Sequence, residues 1–367
     1  MRRARWIAPW KDSETKPAIY HCISRVVERR FAFGAEEKEH FRMLMRMMEK
    51  FTGCRVLSYC LMCNHIHILL EVPPKPKDGI SDGEFLVRLS ALYGESFVAD
   101  VAAQLDAARH EGGVVGGNPE RVTEIKGRFD YRMNDLGEFM KGLMQRFTQW
   151  FNGRHKRKGG LWEDRFKSVI VESGTAARTM AAYIDLNPVR AGMVEDPAEY
   201  RWSGYGEAVG GGKKGNGKKA RVGLARTLNS QNSTFNEETE EELAVQWKRV
   251  SRIYRRAMGL ALQRKTSNFK SRTSMKMGIS QNDAEALESG DNETVLPDLG
   301  MARMLRHRIR YFTDGAVIGS KTFVDDAFAE SRDRFTEKRK DGARRMRGAA
   351  SAAKDHLWSL RDLRVGV

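Results

Sequence analysis

Two histidines stand one residue apart in an otherwise apolar run, CLMCNHIHILLE at residues 60–71. Side chains two apart on a β-strand share a face, so His65 and His67 would be neighbours. Neutral imidazole is the commonest metal ligand, and the pair could therefore hold one divalent ion. The same spacing is also typical of two polar side chains on the solvent side of a strand. The pattern alone leaves both interpretations open.

A tyrosine and an asparagine four residues apart supply further candidates, in the segment AAYIDLNPVRAG. On a helix, Tyr183 and Asn187 would lie on one face, one turn apart, and Pro188 would end or kink that helix. An amide oxygen could complete a His-His-Asn ligand set, and a phenol beside a cation could act as a nucleophile. Tyr183 could equally be an aromatic residue at the edge of the core, and Asn187 a helix cap.

The elements that would position these residues follow a strand, helix, strand, strand, helix, strand order, with one more short helix after it. Strands are predicted at residues 18–27, 55–62, 65–72 and 166–171. Apolar residues spaced by three and four predict amphipathic helices between Phe41 and Phe51 and between Leu136 and Phe151, and the short helix covers 175–186. This order predicts an α+β fold, a ferredoxin-like antiparallel sheet with helices on one face.

The two faces of the histidine strand are expected to differ. Strict alternation places Ile66, Ile68 and Leu70 towards the core, and His65, His67, Leu69 and Glu71 on the other side. A turn at Cys63-Asn64 would join this strand to the preceding one as a hairpin.

Composition changes along the chain predict its division into parts. Residues 73–134 are interpreted as an insertion with one helix between Gly83 and Ala108. A stretch rich in Gly and Lys after Trp202 indicates a boundary. We expect a domain at 1–209, a flexible linker at 210–242, and a basic, mainly helical extension at 243–367 with a TDGAVIGS turn.

Charge and composition narrow the class of protein. Sixty-four Lys and Arg against 48 Asp and Glu give a net charge of +16 and a pI near 9.7, which predicts a polyanionic partner, nucleic acid first. No membrane span or secretory signal is recognisable, so we expect a cytoplasmic protein. The four cysteines are expected to be reduced core thiols, because the CxxC spacing of Cys60 and Cys63 has no second pair to complete a zinc site.

Three segments, in this order, resemble the single-tyrosine HUH transposases, especially their REP-associated branch: LMCNHIHILLE, GLWEDRFKS and AAYIDLNPVRAGMVEDPAEYRWSGY. The resemblance runs from about Ala18 to Tyr205. It implies that His65, His67 and Asn187 hold Mg2+ or Mn2+. It further implies that Tyr183 attacks a phosphate of single-stranded or hairpin DNA of REP type. Strand transfer would proceed through a 5'-phosphotyrosine and a free 3'-hydroxyl.

The cations expected to contact DNA lie in or beside these motifs: Arg154, Lys156, Arg157, Lys158, Arg165, Lys167 and Arg190. Many members of the family carry a tyrosine where this chain has Phe147, and the minimal family form lacks the C-terminal extension. Two other functions stay open, a non-catalytic, domesticated nucleic-acid-binding protein or repressor, and a nuclease in which water attacks. The sequence is compatible with a monomer or a homodimer.

Overall fold

The computed structural model describes residues 5–111, 117–210, 217–229, 239–262, 305, 311–346 and 357–361. Its first four strands, which pair with one another in antiparallel fashion, are β1 (Ala18–Arg25), β2 (Arg55–Leu61), β3 (His65–Val72) and β4 (Lys167–Val171). They lie in the order β2-β3-β1-β4, followed by three strands from the C-terminal part: β5 (Gly315–Gly319), β7 (Trp358–Arg361) and β6 (Arg344–Arg345).

The described helices are α1 (Ala35–Thr52), α2 (Asp82–Leu89), α3 (Glu95–His110), α4 (Pro119–Gly127), α5 (Leu136–Arg154), α6 (Thr175–Asp185), α7 (Asn187–Arg190), α8 (Gly204–Gly210), α9 (Lys218–Asn229), α10 (Glu240–Leu262), α11 (Tyr311–Asp314) and α12 (Lys321–Glu330). Helix α1 connects β1 to β2, and α5 lies between β3 and β4 in the chain. The first four strands therefore form the ferredoxin-like arrangement. The predicted α+β class is confirmed.

Helices α1 and α5 pack on one face of the sheet, as their apolar stripes predict. The stripe residues of α1, Phe41, Leu44, Met45, Met48 and Phe51, are all buried. Helix α1 ends at Gly53, whose left-handed φ of 73° favours glycine. The Asp135 side chain caps α5 by accepting the Glu138 backbone N–H at 2.8 Å. Both helices therefore begin or end where local sequence signals place them.

The other face of the sheet is covered as well, which corrects the expectation of helices on one face. Helices α6, α8, α9 and α10 pack there against the apolar residues Ile19, Leu57, Leu69, Val169 and Val171. Because these side chains alternate with the core-facing ones, the second face is itself apolar and is stabilised by burial. His67 and Glu71, predicted to point away from the first core, accordingly lie in a second buried layer.

Helix α9 lies within the stretch predicted to be a linker, and its approach to β2 is close. A side chain at Gly223 would come within 2.4 Å of the Val56 carbonyl oxygen, so glycine is required there. Residues 211–216 and 230–238 of the predicted linker lie outside the described residues. The division of the chain near residue 210 stays a prediction.

The C-terminal part extends the sheet. Strand β5 pairs in parallel with β4, with Ile170 opposite Val317, so the segment predicted as a TDGAVIGS turn is a buried strand. The prediction of a turn was wrong because a strand of five residues without alternating polarity has little sequence signal. The predicted helix with buried Leu243, Trp247, Val250, Tyr254 and Ala261 is α10.

The remaining expectations concern smaller features. Two helices, α2 and α3, cover the range 83–108 where one helix was predicted, because the chain turns between Ser90 and Gly94, and α4 follows later in the insertion. The cysteines are unpaired thiols, three buried and Cys63 half-buried. Within the described ranges, no helix has the length and apolar character that a membrane crossing requires.

Candidate active site

The two histidines of the HIH motif lie at the start of β3, directly after the hairpin turn. Their ring centres are 5.0 Å apart with the ring planes at 84°. His65 is half-buried and His67 is 3% exposed. Both line a cavity of about 580 Å³. The predicted alternation along β3 therefore brings the two imidazoles to one site.

Hydrogen bonds fix one nitrogen of each ring. His65 Nδ1 lies 2.7 Å from Asn64 Oδ1, and the Asn64 amide donates to the Arg29 carbonyl, which orients that oxygen towards the ring. His67 Nδ1 lies 2.9 Å from His21 Nε2. Burial lowers the pKa of His65 to about 4 and the pKa of His67 well below its usual range. Burial therefore favours the neutral form of both rings, the form in which imidazole binds metals.

Tyr183 reaches the same cavity from the last turn of α6. Its ring packs against Phe312 at 4.7 Å between centres and beneath the Arg190 guanidinium at 5.3 Å, with the ring of His67 at 6.1 Å. Burial raises the pKa of Tyr183, Arg190 lowers it, and Asp314 raises it. The net effect is a raised pKa, which favours the protonated phenol.

Asn187 follows α6 by two residues and also lines the cavity. Its amide nitrogen donates to the Tyr183 carbonyl at 3.0 Å and to the Ile184 carbonyl at 3.3 Å. The C-cap residue of α6 is Leu186, and the Asn187 side chain binds carbonyls of the last turn of that helix. These hydrogen bonds are compatible with metal binding, because they occupy the amide nitrogen and leave the amide oxygen as a donor atom.

The donor set fits a divalent ion. Two imidazoles that share an ion at a metal–nitrogen distance of about 2.1 Å hold their ring centres roughly 4.5 to 5 Å apart, in agreement with the observed 5.0 Å. Nothing in the described part of the chain groups three or more His, Cys, Asp or Glu side chains around a metal position. Asn187, which lines the same cavity, would add an amide oxygen to the two histidines.

The predicted DNA-contacting cations separate into two groups. Arg165 and Lys167 line the cavity, and Arg190 lies on the Tyr183 ring. The other four, Arg154, Lys156, Arg157 and Lys158, belong to the end of α5 and the loop after it and do not line the cavity. Arg154 forms an exposed ion pair with Glu36 at 2.7 Å.

Several residues of the site were not predicted from the sequence. Arg25 and Arg29 line the cavity, together with Glu163, Asp164 and Asp314. His21 contacts His67 directly. The alternation that identified His67 could have identified His21, because Ile19, His21 and Ile23 share one face of β1. No sequence signal points to Asp314 or Phe312.

Phe147 lies on the opposite side of the sheet from the histidines and Tyr183. Its ring is fully buried on the α1 and α5 side of the sheet, against Phe33, Phe41 and Trp162. The histidines and Tyr183 lie on the opposite side, where α6 packs. A tyrosine at position 147 would therefore not reach the cavity.

Comparison with known proteins agrees with the resemblance inferred from the sequence. Residues 15–78 match the family model described as transposase IS200 like. This match supports a transposase role, and its residues include His21, His65 and His67 but neither Tyr183 nor Asn187. A solved structure of a REP-associated tyrosine transposase bound to a REP hairpin is 12% identical, covering 57% of this chain and 85% of that one with a TM-score of 0.34. No curated protein matches the chain.

Proposed function

We propose that this protein cuts single-stranded DNA next to hairpins and transfers the cut strand through a covalent bond to Tyr183. One observation carries the proposal: His65, His67, Tyr183 and Asn187, which come from two distant segments, line a single cavity. A protein that only binds nucleic acid needs cations, but it does not need a phenol together with three potential ligands. The geometry therefore favours an enzyme over a passive binder.

The covalent step follows from the chemistry of a phenol. The Tyr183 oxygen attacks phosphorus, the bond from phosphorus to the 3'-oxygen breaks, and the 5'-phosphate stays on the tyrosine. The phenol proton is lost and the departing 3'-oxygen gains one, so no net proton or energy carrier is consumed. Attack by another 3'-hydroxyl on the phosphotyrosine reverses the step and joins a new strand.

The surrounding side chains bind and orient the substrate. Arg25, Arg29, Arg165 and Lys167 line the cavity and match the charge of a phosphate backbone. Arg190 lowers the pKa of Tyr183 and so opposes the effect of burial. His65, His67 and Asn187 would hold Mg2+ or Mn2+, and a bound ion would supply Lewis-acid polarisation of the phosphoryl oxygen.

The covalent intermediate gives the decisive test. A hairpin DNA with single-stranded flanks, labelled at its 3' end, should yield a protein–DNA band with Mn2+, whereas a 5' label should appear only on a released fragment. Tyr183→Phe keeps the ring packed on Phe312 and should lose both adduct and cleavage. Tyr131→Phe is the matched control, because Tyr131 is exposed in the insertion. Cleavage without an adduct in Tyr183→Phe would instead identify water as the nucleophile.

The ligand assignment is tested separately. His65→Ala and His67→Ala should abolish cleavage while hairpin binding survives, because phosphate contacts supply most of the affinity. His110→Ala, at an exposed position of α3, is the matched control. Normal cleavage by His65→Ala and His67→Ala would refute the metal site. Hairpin binding by a wild-type protein that never cuts would favour the non-catalytic alternative.

A further inference from the structure

His21 forms a bridge between His67 and the C-terminal part of the chain. It is completely buried on β1, opposite Leu69 in the register with β3. Its Nδ1 lies 2.8 Å from the carbonyl oxygen of Phe312, and its Nε2 lies 2.9 Å from His67 Nδ1. The two imidazole planes differ by only 19°, so the shared hydrogen lies close to both ring planes.

The chemistry of the groups fixes the direction of both hydrogen bonds. A carbonyl oxygen only accepts, so His21 must carry its hydrogen on Nδ1 and donate it to Phe312. In a neutral ring the other nitrogen then accepts, which makes His21 Nε2 the acceptor. His67 must therefore carry its hydrogen on Nδ1, and its Nε2 is left with a free lone pair.

The surroundings of His21 keep its ring neutral. A cationic imidazole at zero exposure would need an acidic partner to offset its desolvation. The ring contacts found for His21 are to His67 and Tyr183, and its hydrogen bonds go to a backbone carbonyl and an imidazole.

We infer that His21 is a positioning residue that sets the tautomer of His67, and that the Phe312 carbonyl makes the C-terminal part of the chain a component of the metal site. The inference rests on the proposed role of His67 as a ligand. If the hydrogen of His67 were on Nε2, that nitrogen could not bind a metal, and Nδ1 is already occupied by His21. Ligand partners of this kind orient the ring and fix its tautomer.

The same segment acts on Tyr183. The backbone of Phe312 holds His21 while its side chain packs on the Tyr183 ring, 4.7 Å between centres. Strand β5 begins three residues later and is anchored to β4. One residue of the C-terminal part therefore contacts both halves of the site, the histidine pair through His21 and the nucleophile directly.

The tautomers can be read directly in the metal-free protein. Two-bond correlations between ring nitrogens and carbon-bound ring hydrogens, on protein labelled with nitrogen-15 in histidine, distinguish the two neutral forms. We expect His21 and His67 both to carry the hydrogen on Nδ1, the less common form of neutral histidine in water. His65, whose Nδ1 donates to Asn64, serves as an internal reference. A hydrogen on Nε2 of His67 would overturn the inference, and this measurement needs neither a variant nor activity.

Two variants of His21 test the consequence for metal binding. His21→Phe keeps a ring but removes both nitrogens, so His67 should lose its preference for Nδ1–H and Mn2+ affinity should fall roughly 10- to 100-fold. His21→Gln offers one donor and one acceptor with similar separation and should restore most of the affinity. Calorimetric titration with Mn2+ measures both, and circular dichroism confirms folding. Unchanged tautomer and affinity in His21→Phe would contradict the inference.

These readouts are independent of the covalent chemistry. Tyr183→Phe should leave the His67 tautomer and the Mn2+ affinity as in wild type. Cleavage retained by Tyr183→Phe would refute the proposed nucleophile while the tautomer result stands. Conversely, a His67 with its hydrogen on Nε2 would refute the role of His21 even if Tyr183 forms the DNA adduct.

Discussion

Replacing Asp185 by asparagine tests the cost of burying a carboxylate at the end of the helix that carries Tyr183. Asp185 Oδ1 accepts hydrogen bonds from Ser58 Oγ at 3.2 Å and from the Tyr205 backbone N–H at 2.9 Å. Its Oδ2 accepts from the Tyr254 hydroxyl at 2.7 Å. Asparagine has the same shape, and its amide nitrogen can donate to the Tyr254 oxygen, because a hydroxyl accepts as well as donates.

The size of the effect on the free energy of unfolding follows from the shift in the pKa of Asp185. Burial raises the pKa of Asp185 from 3.8 to about 7, against the opposing effect of its three hydrogen bonds. The folded protein thus keeps a proton that the unfolded chain has already released, and the free energy of unfolding falls as the pH rises from about 4 to about 7. Between pH 5 and pH 8 the loss is roughly 2–3 kcal/mol. Asparagine does not titrate and avoids it.

Urea unfolding followed by tryptophan fluorescence at pH 5 and pH 8 measures the effect, with EDTA present to exclude metal binding. We expect the stability of Asp185→Asn, relative to wild type, to increase by roughly 2–3 kcal/mol from pH 5 to pH 8. Asp100→Asn, at an exposed position of α3, should follow the wild-type pH dependence. Parallel curves for wild type and Asp185→Asn would refute the reasoning.

Three other perturbations have definite expected outcomes. Phe147→Tyr adds a hydroxyl to an apolar core and should lower the free energy of unfolding by about 1–3 kcal/mol. The double variant Phe147→Tyr/Tyr183→Phe should form no DNA adduct. An adduct in this double variant would contradict the assignment of Tyr183 as the nucleophile. Hairpin affinity should fall roughly tenfold or more between 50 and 200 mM salt, and Arg165→Ala should reduce the salt slope by about 1, whereas Arg109→Ala in the insertion should not. Glu71 is 1% exposed and forms ion pairs with Arg55 and Arg226. Its replacement by alanine should lower the free energy of unfolding by about 3–5 kcal/mol, because the mostly buried Arg226 loses its partner; a melting temperature equal to wild type would argue against a buried ion pair.

The parts of the fold that the sequence predicted are those with local periodicity. Phe41 to Phe51 and Leu136 to Phe151 repeat at helical spacing, and the alternation of residues 65–72 fixes which side chains share a face. Each pattern is imposed by a core that the element itself contacts. For the same reason the histidine pair was predicted, since His65 and His67 need only their own strand to become neighbours.

The parts that the sequence did not predict depend on contacts between distant segments. Strand β5 has five residues and its partner β4 lies far away in the sequence, so nothing local distinguishes it from a turn. The contact from Phe312 to His21 uses a backbone carbonyl, which every residue possesses and no residue type reveals. The RHKRKGG loop shows that charge alone does not give position. Its composition predicted a basic loop, but its cations do not line the cavity.

The pairing of β4 with β5 has a consequence for folding during protein synthesis. Residue 170 is synthesised before residue 317, and at about 5–20 residues per second the interval is roughly 7 to 30 seconds. Strands β1 to β4 can pair during that interval, but the carbonyl that holds His21 and the ring that packs on Tyr183 have not yet been made. A nascent chain thus carries every reactive side chain of the proposed nuclease without the segment that fixes them. The site of the proposed nuclease would therefore be complete only after Phe312 and strand β5 have been synthesised.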